Sequence, residues 1–252
     1  MTRSERSEPR SHDADEPAGV TNPYDVVLLD LDGTIIDSEQ GIQAALRHAI
    51  TAGFGIVPTQ ADLEEFMGPP LADVLPRVFG LTDPADEQRF FELYCEVYFH
   101  GAEYEFDVYP GMTELIGDLS AAGIRLALAT AKPDESATRV LEHADLLQYF
   151  TFVGGSHVDG SRQDKVDVLA HTLEQINAES SLHRIVLVGD RALDERAARA
   201  HGADSILVRW GYATPGELDE AGATHVVSRV DELRTLLLPE PAGLISPSPV
   251  GG

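Results

Sequence analysis

The stretch Val26-Val27-Leu28-Leu29-Asp30-Leu31-Asp32-Gly33-Thr34 decides the fold. Four consecutive apolar residues without polar alternation describe a strand buried on both faces. That pattern belongs to a parallel sheet covered by helices, not to an antiparallel sheet with one wet face. The run then stops on two aspartates, a glycine and a threonine. In an open α/β sheet, ligands gather beyond the carboxyl ends of the strands, so polar chemistry belongs at this point. An Asp-Gly pair alone is an ordinary turn, whereas the full Asp-x-Asp-Gly-Thr string directly after an apolar strand is much rarer and reads as a site. Two carboxylates one residue apart share a face on a straight strand. At a bend they separate, one free to face a phosphorus and the other a leaving oxygen. Gly33 lets the backbone approach a ligand closely.

Working outward, short apolar runs recur at 125–129, 150–153, 185–188, 205–208 and 225–227. Helical patterns lie between them at 111–122, 133–143, 164–176, 193–201 and 230–238. Alternation of strand and helix predicts an α/β fold, a three-layer Rossmann-like parallel sheet core. The alternation fails once. From 38 to 106 there is helical periodicity and no convincing strand, with one apolar stripe at Ala45, Leu46, Ala49 and Ile50 and another at Phe90, Phe91, Leu93, Tyr94, Val97 and Tyr98. Residues 41–107 are therefore expected to form an inserted all-helical cap, a lid over the strand ends, with the core made of 23–40 and 108–238. The polar segment 1–22 and the Pro- and Gly-rich segment 239–252 read as disordered tails.

Composition removes several function classes. The chain has 252 residues, 43 acidic against 18 basic, and a formal net charge of −25, which opposes a nucleic-acid partner. No run of eighteen apolar residues exists, so no membrane span is expected. The opening residues lack the apolar region of a secretory signal, and the expected compartment is the cytoplasm. The single Cys95 excludes an intramolecular disulfide and a cysteine zinc cluster; it sits in an apolar stripe and reads as core. Sixteen of the basic residues are Arg and only Lys132 and Lys165 are lysines. A lysine kept in such a background needs a reason.

Both lysines follow buried strands. The second strand leads into Thr130-Ala131-Lys132, Lys165 comes after the third, and the fourth leads into Gly189-Asp190 with Asp194 four residues on. Together with Asp30 and Asp32 these make a carboxylate cluster that needs a cation to offset like-charge repulsion. Oxygen-only ligands suit a hard divalent ion, Mg²⁺ above all, bound alongside a substrate phosphate. Lys165 opens a helix, where the dipole disfavours a cation, so its place calls for an anionic partner. The Thr130 hydroxyl is able to donate to a phosphate oxygen. No Gly-x-x-x-x-Gly-Lys-Ser/Thr loop, dinucleotide fingerprint or His-Glu-x-x-His pair is present.

The order Asp30-Leu31-Asp32-Gly33-Thr34, Thr130, Lys165, Gly189-Asp190 with Asp194 resembles the four motifs of the haloacid dehalogenase-like hydrolases, over essentially all of 24–238. The helical insert is similar to that superfamily's type 1 cap. Met67-Gly68-Pro69-Pro70, Tyr109-Pro110-Gly111 and Trp210-Gly211-Tyr212 are similar to its phosphoglycolate-phosphatase-like branch. The segments 159–162 and 165–171 also resemble an actinobacterial protein of this fold described as a tyrosine kinase. Leu193 departs from the pattern, since relatives often carry a polar residue there.

The resemblance implies a Mg²⁺-dependent phosphomonoester hydrolase acting on a small, phosphoglycolate-like metabolite. Asp30 would be the nucleophile, forming an aspartyl-phosphate, and Asp32 the general acid and base. Thr130 and Lys165 would bind the transferring phosphoryl group. Mg²⁺ would be held by Asp30, Asp190, the backbone carbonyl of Asp32, and Asp194 directly or through water. Gly33, Thr34, Gly68, Pro69, Ala131 and Lys132 would line the substrate. The presence of Asp32 argues against dehalogenation, which has no leaving oxygen to protonate, and the absence of lysine from 41–107 argues against a Schiff-base phosphonatase. The alternatives are a tyrosine-directed phosphatase or phosphotransferase, a sugar-phosphate mutase, and a non-enzymatic phospho-accepting switch. The partner expected is a small phosphomonoester, with no nucleic acid and no membrane, on a monomer or homodimer.

Overall fold

The run Val26–Leu29 forms β1, wholly buried, at the centre of a six-stranded sheet. The computed structural model describes residues 22–67, 71–157, 162, 164–180 and 183–238. Expectations placed on Gly68, Pro69, residues 159–161 and all but a residue of the two tails lie outside these.

In chain order, β1 is followed by β2 (Ile36–Asp37), α1 (Glu39–Phe54), α2 (Gln60–Glu64), α3 (Leu71–Phe79), α4 (Pro84–Tyr98) and β3 (Asp107–Val108). Then come α5 (Met112–Ala121), β4 (Arg125–Pro133), α6 (Asp134–His143), β5 (Phe152–Ser156), α7 (Lys165–Gln175), β6 (Ile185–Gly189) and α8 (Ala192–Ala200). The chain closes with β7 (Asp204–Val208), α9 (Glu217–Glu220), β8 (His225–Val227) and α10 (Val230–Leu237). The large sheet has the order β5-β4-β1-β6-β7-β8, and every pairing in it is parallel. This is the Rossmann-like α/β architecture read from the strand pattern.

Period-2 geometry explains why continuous apolarity was needed. Val27 and Leu29 enter one core with Leu115, Ile116 and Leu119 of α5, Val140 and Leu141 of α6, and Leu233 of α10. Val26 and Leu28 enter the opposite core with Val168 and Leu169 of α7 and Ala197 and Ala198 of α8. Each of these leucines and valines adds roughly 1.5–3 kcal/mol by leaving water. A polar residue at any of the four β1 positions would break one core or the other.

From β1 the chain winds outward through β4 to β5, then crosses back to β6 on the other side of β1 and winds outward through β7 to β8, so the carboxyl end of β1 beside β6 is the topological switch point of the sheet. Helices α1 to α4 fill the excursion between β2 and β3, which pair antiparallel as a two-stranded neck. They have an apolar core of their own, with Leu46, Ala49, Ile50, Leu63 and Phe90 buried. Local chemistry fixes their ends: Thr59 and Asp62 form a reciprocal capping box on α2, Asp83 caps α4 ahead of Pro84, and Gly55 closes α1 at φ +68°.

Boundaries differ from the sequence expectations in places with physical reasons. β4 continues through Thr130, Ala131 and Lys132 to Pro133, with its register to β5 shifting between Ala129 and Pro133; an irregularity of this kind re-aims side chains near a site. β5 begins two residues later than the apolar run because residues 147–149 form a 3-10 turn. β2, β3 and α9 are too short to show a period. No helix among the described residues is long and apolar enough to cross a membrane.

Candidate active site

Asp30 is the first residue past β1, and its N–H donates to the Val188 carbonyl of β6 at 2.9 Å. Oδ1 accepts the Leu31 N–H at 2.7 Å, and Oδ2 lies 2.8 Å from Lys165 Nζ. Lys165 is the first residue of α7, whose free N–H of Val166 is capped by Asp164. Its ammonium also lies 2.8 Å from Asp194 Oδ1. The unfavourable helix position is thus explained: the lysine is 5% exposed and held between two carboxylates.

Asp194, in the first turn of α8, accepts the Arg191 N–H at 3.1 Å. That turn is braced from outside by Glu217, which accepts Arg191 Nε at 2.8 Å and the Ala192 N–H at 2.9 Å. Gly189 is required by close approach, because a Cβ there would stand 2.1 Å from Asp194 Cγ. Asp190 Oδ2 accepts the Tyr212 N–H at 2.6 Å. It is hemmed in by Gly33 and Gly211, where a Cβ would come within 2.2 and 2.3 Å of the same oxygen.

Asp30, Asp190 and Asp194 each offer an oxygen within 4.8 Å of the others, and all three are buried. Burial, opposed by Lys165 and reinforced by Asp194, pushes the Asp30 carboxyl up to about 6. Burial and the two neighbouring carboxylates raise Asp190 well above its ordinary range. Burial works against the Lys165 ammonium, but Asp194 and Asp30 outweigh it and raise its pKa. Three carboxylates face one ammonium, which leaves an excess of negative charge in a buried site. Beyond its ion pair with Lys165, Asp194 Oδ1 has no hydrogen-bond partner among the described residues. The donor set is all oxygen, so the residues fit a hard divalent cation.

Asp32 does not join this group. Its carboxylate turns away to Lys132, with Nζ at 2.9 Å from Oδ2 and 3.1 Å from Oδ1, and it is the more exposed of the motif carboxylates, with 23% of its side chain accessible. The two aspartates are split at the bend. Lys132 also donates to the hydroxyl of Tyr98, from α4. Thr130 is buried, and its Oγ1 accepts the Lys132 N–H at 3.3 Å. Gly33 turns the chain at φ +78°. Thr34 is fully buried, and its Oγ1 has no hydrogen-bond partner among the described residues, while its carbonyl accepts Trp210 Nε1 at 3.2 Å. Ala131 is exposed.

Two contributors escaped assignment from sequence. Tyr98 reads as one more apolar position of a helical stripe. Tyr212 contributes a backbone N–H, which no residue type reveals. Its hydroxyl accepts the Ser38 N–H at 2.8 Å and donates to Asp37 at 2.9 Å, tying Asp190 to the neck. The cluster Trp210-Gly211-Tyr212 was the available signal.

Residues 27–208 match the family model described as haloacid dehalogenase-like hydrolase. Tyrosine-protein kinase PtkA of Mycobacterium tuberculosis is 37% identical over 220 residues, covering 84% of this chain and 72% of that protein. A solved structure of PtkA has a TM-score of 0.72 over 85% of this chain and 98% of that one, at 37% identity. The 5′-nucleotidase of Pseudomonas aeruginosa is 34% identical over 220 residues, 85% of this chain and 96% of that protein. The plasmid phosphoglycolate phosphatase of Cupriavidus necator is 32% identical over 227 residues, 88% of this chain and 96% of that protein. With the motif residues assembled at one sheet edge and this match across most of its length, the chain belongs to the haloacid dehalogenase-like hydrolases, an enzyme family that includes phosphoglycolate phosphatase relatives of this chain.

Proposed function

We propose that this hydrolase is a Mg²⁺-dependent phosphomonoesterase that acts on a small phosphorylated metabolite of the phosphoglycolate kind through an aspartyl-phosphate on Asp30. The observation carrying this is the buried constellation of Asp30, Lys165, Asp194 and Asp190 at the switch point of the sheet.

An Asp30 oxygen attacks phosphorus, and the bond from phosphorus to the ester oxygen breaks. Asp32, turned away from the cluster, gives its proton to the departing oxygen. It then takes a proton from water, whose oxygen attacks the phosphorus of the aspartyl-phosphate and frees Asp30 and inorganic phosphate. Lys165 keeps Asp30 oriented and balances charge on the phosphoryl oxygens, and the Thr130 hydroxyl donates to one of them. Asp30, Asp190, Asp194 and the backbone carbonyl of Asp32 would hold Mg²⁺, which neutralises charge on the transferring group when bound. The Asp37–Tyr212–Asp190 connection keeps Asp190 in register with the neck.

A tyrosine-directed reaction is the second reading, favoured by the 37% identity to a protein named a tyrosine-protein kinase. The same Asp30 would carry the phosphoryl group in either direction. Incubation with phosphoglycolate, nucleoside 5′-monophosphates and phosphotyrosine, with Mg²⁺ or with chelator, tests the first reading. Phosphate release from a small monoester that stops with chelator and returns with Mg²⁺ is expected. Chelator-resistant release would contradict it, and net phosphorylation of a tyrosine peptide by a nucleoside triphosphate, without monoester hydrolysis, would establish the second.

A further inference from the structure

Lys132 is buried with 5% of its side chain accessible, and an ammonium has three protons to place. Two oxygens of Asp32 and the hydroxyl of Tyr98 surround it. Its nitrogen lies 4.8 Å from the centroid of the Tyr98 ring, at the hydroxyl edge. Lys132 lies on β4 and Asp32 in the turn after β1, whereas Tyr98 is the last residue of α4 in the helical excursion. One lysine therefore joins the two.

Tyr98 is not free to follow that lysine. Its ring stacks on Tyr94 at 5.1 Å, Tyr94 on Phe90 at 6.3 Å, Phe90 on Phe66 at 6.0 Å and Phe66 on Phe79 at 5.9 Å. This ladder passes through the apolar core of the excursion. Five residues on, buried Glu103 receives Ser136 Oγ at 2.6 Å and Arg139 Nε at 2.8 Å from α6, which fixes the base of α4 against the core. A buried aromatic that served only to pack would do as well as phenylalanine, and a buried tyrosine hydroxyl requires a partner. That partner is Lys132.

We infer that Tyr98 is a positioning residue that holds Lys132 against Asp32, so that the seating of α4 over the sheet orders the carboxylate on the leaving-group side. This rests on the phosphomonoesterase reading for the role of Asp32, but the contact itself does not. Without the hydroxyl, the flexible lysine stem regains rotamer freedom and Asp32 loses its fixed partner.

Tyr98→Phe tests this, since the ring and its stack on Tyr94 remain. With Mg²⁺ and a small phosphomonoester, kcat is expected to fall about tenfold, as for loss of a hydrogen bond to a charged group, while KM changes less than about threefold. The urea unfolding midpoint is expected to fall, because one buried ammonium proton loses its acceptor, so turnover is compared under conditions where the variant is fully folded. In a Lys132→Met background the same substitution should change kcat by less than about twofold, because its effect passes through the lysine. An undiminished Tyr98→Phe, or the same loss with and without Lys132, would overturn the inference. A turnover-independent readout separates its failure from failure of the phosphatase reading. Only two lysines exist, so acetylation of Lys132 can be followed by mass spectrometry with Lys165 as reference. The Lys132 to Lys165 rate ratio should rise at least about threefold in Tyr98→Phe, as side-chain freedom returns; an unchanged ratio would overturn the proposed hold.

Discussion

Replacing Lys165 with methionine removes the ammonium in contact with both Asp30 and Asp194, each 2.8 Å away. The stem volume is kept, so the loss is electrostatic. Asp30, Asp190 and Asp194 would then crowd within 4.8 Å of one another in a buried site without their ammonium. Removing one partner of a buried ion pair costs about 3–5 kcal/mol, a large share of the roughly 5–15 kcal/mol that a domain has. The cost depends on pH, and its sign follows from Asp30. Burial already pushes that carboxyl up to about 6 with the lysine pulling it down; without the lysine it moves higher still. Below that range Asp30 takes up a proton and relieves the repulsion, so Lys165→Met is expected to be destabilising at pH 8 and much less so at pH 5. Mg²⁺ should restore part of the loss by binding only the folded state. Urea unfolding at both pH values, with chelator and with Mg²⁺, measures this directly. A loss below about 1 kcal/mol at pH 8, or one independent of pH, would refute the electrostatic reasoning. Turnover should fall in parallel by about a hundredfold or more, as when a preorganised charge-stabilising group is removed, and Lys165→Arg should rescue poorly because a planar fork does not replace a compact ammonium.

Three further outcomes follow. Gly211→Ala places a methyl group 2.3 Å from Asp190 Oδ2; the Mg²⁺ concentration for half-maximal binding, read by calorimetry, should rise about tenfold or more, and an unchanged value would mean that Asp190 is not a ligand. Glu103 is desolvated, but hydrogen bonds from Arg139 and Ser136 outweigh this and hold its carboxyl below the usual range. Its contribution is therefore complete at neutral pH and fades as pH falls through the lowered value. Glu103→Gln should cost about 1–2 kcal/mol at pH 7 and flatten the acid limb of the stability curve; equal pH dependence of mutant and wild type would count against it. Asp32→Asn should slow hydrolysis of alkyl phosphates far more than of aryl phosphates, whose leaving groups need no proton; uniform loss across leaving groups would argue against an acid role.

The sheet was legible because a strand buried on both faces cannot hide: Val26 to Leu29 have no polar alternation. Lys165 stood out for a related reason, since an acidic, lysine-poor chain kept a lysine where a helix dipole opposes it. What stayed hidden depends on direction and on backbone. Spacing and the Gly33 bend announce that Asp30 and Asp32 separate, but that one meets Lys165 and the other Lys132 is set by the fold. Lys132 itself read as a phosphate-side group, whereas its ammonium is spent between Asp32 and Tyr98. The Tyr98 ring follows the helical period; its hydroxyl, the chemically informative atom, does not. Tyr212 acts on Asp190 through an N–H that every residue but proline has. Strands of two residues such as β2 and β3 contain no period to read.

The central claim is that Asp30 becomes covalently phosphorylated. Wild type and Asp32→Asn, mixed with a phosphomonoester and Mg²⁺ and quenched in acid within milliseconds, provide the measurement by peptide mass mapping. Phosphate on the peptide containing Asp30 is expected, accumulating further in Asp32→Asn and missing from Asp30→Asn, which should be folded and inactive. Steady turnover with no phosphate on Asp30, or phosphate on any other side chain, would contradict the account.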